Sequence, residues 1–168
     1  MSTNSIRAAY SSWPRFNDRF REATGRLTAE QLAVQPSPER WPLWATIGHV
    51  ACQRVSGLCG YAGEPGAETT PFPNALYNCP GDEDLEHVLD AAQLVVALDS
   101  TFAIIERCLD SWTWDMLSEV LTRQFGDETW TNARGAVLQR TFAHDIYHFS
   151  EVNEALTAAR LPLVNLWE

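Results

Sequence analysis

The chain has 168 residues, 45% of them apolar and 20% charged, which suits one globular domain spanning 1–168 with a substantial core. Its net charge is −10 and its pI near 4.8, so phosphate backbones and anionic membrane surfaces are excluded as natural partners. The longest apolar run, about Leu94 to Leu98, is far short of the roughly 20 residues of a membrane span.

"MSTNSIRAAY" has no apolar run of signal-peptide type. The four cysteines (Cys52, Cys59, Cys79 and Cys108) form no CxxC pair and fit no disulfide framework. Reduced, buried thiols and a cytoplasmic location are therefore expected.

In chain order the periodicity is helical almost throughout. A first helix is expected from about Thr3 to Gly25. Ile6, Tyr10, Trp13, Phe16 and Phe20 fall on one stripe, and Pro14 should kink or weaken the helix. Thr28 and Gln31 make a capping box for a short turn. A second helix starts near Pro42, carries Trp44, Ile47, Val50, Val55 and Leu58, and ends between Gly60 and Gly63. A long loop rich in Gly and Pro follows, a candidate lid. A third helix is expected to be capped around Asp82 to Asp84 and to run to about Leu109, with Leu85 and Val88 at core positions. Val120 to Phe125 alternate before Gly126-Asp127, which suggests a small hairpin. A fourth helix runs from about Thr131 or Asn132 to Arg160, and "LPLVNLW" packs back on it. The pattern is all-α: a four-helix bundle with a long crossover loop between helices 2 and 3 and at most one small β-hairpin before helix 4.

The chemistry concentrates in "HDIYH". His144 and His148 are four apart, so on a helix they lie about 40° apart with β-carbons about 6 Å apart, a spacing at which two imidazoles share one ion. Val137, Thr141, Val152 and Ala155 share that face and are small or apolar, so it turns inward. Taken alone, such a pair is more often two ordinary histidines. His49, near the buried stripe of the second helix, supplies a third imidazole and shifts the balance to a three-histidine metal site with open positions, the arrangement of a catalytic ion. His87 reads as a surface residue. Glu151 falls within about 20° of the His144 direction, where it can ligate, orient a ligand or act as a base. Asp145 lies about 100° round, where it can orient a neighbouring helix's imidazole, though a surface or inter-helix hydrogen bond is the more ordinary placement. Gln53 and Ser56, at i+4 and i+7 from His49, are candidates to line the cavity, as are Tyr147, Arg140, Trp41 and Trp44. An HExxH-type protease is disfavoured, because its base is a glutamate where this chain has Asp145.

"LTAEQL…RWPLWATIGHVA" (Leu27 to Leu32, then Trp44, Ile47, His49 and Val50), followed by the HxxxH of His144 and His148, resembles the DinB-like (DinB/YfiT) superfamily over residues 5 to 160. The resemblance implies a four-helix bundle with a divalent metal, nickel or zinc, held by His49, His144 and His148. It also implies a homodimer, a small-molecule substrate and a low-molecular-weight thiol as co-substrate. Relatives include bacillithiol S-transferases and a mycothiol-dependent maleylpyruvate isomerase. Where many relatives follow the last histidine with Arg-Gly-Gln, this chain reads Phe149-Ser150-Glu151.

Overall fold

The computed structural model describes residues 4–76, 78–82 and 84–167. It is mostly helical. The element order is a 3-10 turn Ile6–Tyr10, α1 Trp13–Thr24, α2 Ala29–Leu32, α3 Leu43–Val55 running into a π-helical turn Ser56–Tyr61, and a 3-10 turn Ala67–Thr69. Then come α4 Ala91–Ser111, a 3-10 turn Asp115–Ser118, strands β1 Val120–Phe125 and β2 Glu128–Ala133, and α5 Arg134–Ala158.

α3 is central. Every residue of it but Gln53 is buried, as expected of a helix that is apolar all round. It packs on α4 on one side and α5 on the other, and α1 covers α4. Two capping boxes set starts: Thr28 with Gln31 for α2, as the sequence indicated, and Asp90 with Gln93 for α4. β1 and β2 pair antiparallel through the two-residue Gly126-Asp127 turn. Gly126 takes φ +59°, which suits the first position of a tight hairpin turn. The tail folds back as expected, with Val164 buried and both its backbone groups bonded to the Asn153 side chain.

Several sequence expectations need correction. α1 begins at Trp13, so Pro14 lies in its first turn, where the missing amide costs nothing, and it causes no kink. The Thr3 start lies outside the described residues. α4 begins at Ala91, not near Asp82 to Asp84. The Asp84 carboxylate instead accepts the amides of Glu86 and His87 in a local turn, and the Asp90–Gln93 box takes the helix start. Leu85 and Val88 are consequently exposed, as is His87. Glu83, between the two expected caps, lies outside the described residues. α5 starts later than expected because β2 runs on to Ala133.

The cysteines also differ. Cys52 of α3 and Cys79 of the crossover loop form a disulfide, with Cα atoms 5.7 Å apart. Cys59 and Cys108 remain thiols. Their spacing in sequence carries no sign of the pair, because only the folding of the loop back on α3 brings Cys79 to Cys52. With it goes the reduced-thiol argument for the cytoplasm at these two positions. Among the described residues no helix is long and apolar enough to cross a membrane.

Candidate metal centre

Local helix geometry delivers His144 and His148 to one face of α5, and the packing of α3 against α5 brings His49 opposite them. The Nε2 atoms of His49 and His144 are 3.2 Å apart, and those of His148 and His144 3.1 Å. His49 and His148 are almost fully buried; His144 is partly so. Burial first, then the neighbouring His148 and His49 rings, push the His144 imidazole down to about 3, so it is neutral at physiological pH.

Two rings are held from behind. His49 Nδ1 is 3.0 Å from the Pro80 carbonyl oxygen, which can only accept, and 3.5 Å from Asp82 Oδ2. His148 Nδ1 is 2.6 Å from Glu151 Oε2. Both rings therefore carry their proton on Nδ1 and turn an Nε2 lone pair inward. His144 Nε2 faces both, and a neutral imidazole nitrogen has at most one proton to donate. Three converging nitrogens with so few protons fit a shared cation. The spacing agrees, since three nitrogens at zinc-type bond lengths lie about 3.0–3.4 Å from one another.

Further supports come from other segments of the chain. Arg40, just before α3, pairs with Glu151, and its other nitrogen is 3.4 Å from Glu154. Trp41 lies against both His49 (4.8 Å between ring centroids) and His148 (6.2 Å, stacked). Gly81, with φ +89°, lets the loop press on Trp41, because a β-carbon there would come within 2.7 Å of the indole. That contact sets the Pro80 carbonyl against His49. The disulfide anchors the same stretch one residue earlier.

Asp145 makes inter-helix hydrogen bonds, one of the two placements expected of it, and it does so in the core. It is fully buried and joins a polar network between helices. Arg54 Nε donates to both its oxygens at 3.2 and 3.0 Å, and Trp13 Nε1 donates at 2.8 Å. Arg54 Nη1 donates to Asn17 Oδ1 at 2.8 Å, which brings in α1. Burial holds the Asp145 carboxyl above the usual carboxylate range, against the pull of Arg54 and then Trp13, and the Arg54 guanidinium stands against it as its charge partner. The network ties α1, α3 and α5 together beside the imidazoles. One signal was legible: Arg54 is the single charged residue in "WATIGHVACQRVSGLCG". Pro80 acts through its backbone and had no side-chain signal at all.

Cavities flank the cluster on both sides. One of about 300 Å³ lies beyond His148 and is lined by Glu39, Arg40, Trp41, Glu151 and Glu154 among others. Another of about 230 Å³ opens on His144 and includes Gln53, Ser56 and Arg140, as expected, together with Tyr61, Trp130 and Asn132. Trp44 is core instead.

The sequence profile of the DinB superfamily matches residues 14–152, which takes in all three histidines. The chain belongs to the DinB superfamily. Among solved structures it is similar to a DinB-like protein from Bacillus cereus ATCC 10987, with a TM-score of 0.68 at 16% identity over 96% of this chain and 97% of that one. That likeness speaks for a shared DinB-like fold. No curated protein matches the chain.

Proposed function

We propose that this DinB superfamily chain is a divalent-metal-dependent enzyme acting on a small molecule, a thiol S-transferase or hydrolase. In this reading His49, His144 and His148 hold the ion, nickel or zinc, in the core of a four-helix bundle. The observation that carries it is the convergence of three Nε2 atoms at 3.1 and 3.2 Å with two of the rings protonated on the far nitrogen. When bound, the ion would supply a Lewis acid that activates a thiol or a water.

The chain's own residues supply orientation. The Pro80 carbonyl and the Glu151 carboxylate fix the tautomers and planes of His49 and His148. Arg40 in turn holds Glu151, so this acid has one oxygen on His148 and one on Arg40. That favours Glu151 as a positioning residue over Glu151 as the base. Trp41 covers two of the rings and limits water at them. A co-substrate thiol, a homodimer and a cytoplasmic location belong to the same proposal and rest on the family resemblance.

A second reading has one observation in its favour. The two carboxylates that the described residues bring to the imidazoles, Glu151 and Asp82, both sit against Nδ1 atoms, behind the rings and away from the converging nitrogens. Neither stands where a base for a bound thiol or water would. The second reading is a non-catalytic bundle that binds a small molecule or partner and uses the ion for stability.

Metal content of protein purified without added metal is the test. About one ion per chain is expected, lost in His148→Ala. A folded protein that takes up no nickel, zinc or cobalt refutes the site. Turnover with bacillithiol, mycothiol or glutathione conjugates separates the enzyme from the binding module.

A further inference from the structure

The two cavities beside the imidazoles have opposite electrostatics. Beyond His148, Glu39, Glu151 and Glu154 line the wall, and the one arginine there, Arg40, is taken up by Glu151 and Glu154. Among the described residues, no carboxylate lines the cavity that opens on His144. Its formal charge is Arg140. Arg140 is exposed, its positive charge acts on the His144 ring, and among the described residues no hydrogen bond or ion pair ties it down.

Arg140 stands one helical turn before His144, on the same side of α5, with β-carbons about 6 Å apart. The remaining polar groups of the wall (Gln53, Ser56 and Asn132) are neutral hydrogen-bonding side chains. Tyr61 and Trp130, whose ring centroids are 4.7 Å apart, give it one aromatic side. At about 230 Å³ the space is below the range of about 300–1,000 Å³ typical of larger ligands. In a chain of net charge −10, the surrounding field repels anions. A guanidinium in a pocket that no described carboxylate lines reverses that locally.

We propose that this pocket takes a small organic molecule bearing one carboxylate, held by the Arg140 guanidinium, with the rest of the ligand turned toward His144. A guanidinium fork matches a carboxylate in two parallel hydrogen bonds. A single arginine balances a monoanion, and no second cation lines the wall to balance a phosphate. The proposal rests on the metal reading only for what the ligand's far end meets.

Two probes of equal length test it: 3-mercaptopropionate and its neutral amide, 3-mercaptopropionamide. Binding is followed in cobalt-loaded protein by the thiolate-to-cobalt absorption and in metal-free protein by calorimetry. The carboxylate should bind about ten-fold or more tighter than the amide, the size of a charge-assisted hydrogen bond. Arg140→Gln should bring the two together by weakening the carboxylate alone, and Arg140→Lys should keep part of the preference. No preference in the wild type, or one that survives Arg140→Gln, overturns the proposal. Cobalt bound and lost in His148→Ala, without a carboxylate preference, sinks the pocket reading and leaves the metal site standing. A calorimetric preference that depends on Arg140, in folded protein that takes up no nickel, zinc or cobalt, upholds the pocket and sinks the metal site.

Discussion

Arg54→Met leaves the Asp145 carboxylate fully buried with Trp13 as its only strong donor among the described residues. Removing one partner of a buried ion pair costs about 3–5 kcal/mol, because the remaining charge has lost its compensation. For 168 residues the unfolding entropy near the melting point is about 350 cal/mol/K, so that cost lowers Tm by about 8–14 °C. Arg54→Met with Asp145→Leu removes both charges and should recover most of the loss. The single variant also has a pH signature. Without Arg54 the folded carboxyl titrates above its unfolded value, so protonation favours the folded state. The deficit against wild type should therefore shrink as pH falls through that raised value and be largest at neutral pH. Thermal unfolding of metal-free wild type, both singles and the double, followed by circular dichroism at pH 5 and pH 8, measures all of this. A single-variant shift under about 3 °C, or a double variant whose loss equals the sum of the singles, would refute the reasoning.

Glu151→Gln keeps the shape but loses the charge-assisted bond to His148, so metal affinity should fall about 10–100-fold in a competition titration. Arg40→Gln should move it the same way by less, and unchanged affinity in both variants would remove Glu151 from the positioning role. For the cysteines, burial pushes Cys59 up to about 11 and Cys108 up to about 12. Both should resist iodoacetamide at pH 8 in the folded protein and react on unfolding. Mass spectrometry should meanwhile find Cys52 and Cys79 joined. Cys52→Ser with Cys79→Ser, opening a loop of sequence separation 27, should cost about 3.5 kcal/mol.

What the sequence alone determined is what lies within reach of one helix turn. The 40° offset of His144 and His148 follows from helix geometry, and the small apolar residues on their face place that face inward. The Thr28–Gln31 box and the Gly126-Asp127 turn are equally local, and both are found where the residues put them. His49 was legible because α3 is apolar on nearly every side, so any histidine on it is buried. The α4 start differs from the sequence expectation because the acid run at Asp82 to Asp84 offers caps as readily as the single Asp90, and only Asp90 has a glutamine three residues on.

Tertiary packing decided the rest. Asp145 pointed away from the histidine face, and a side direction on a helix is solvent or core depending on what packs there. Here α3 and α1 pack there and bring Arg54 and Trp13. Which groups stand behind the imidazoles depends on the path of the crossover loop, and that path is set by Gly81 against Trp41 and by Cys79 against Cys52. The Pro80 carbonyl is a backbone atom that any residue would supply, so its role exists only once the loop has closed on α3. Helix periodicity orders neighbours along one element; contacts between elements depend on packing that no short window of residues encodes.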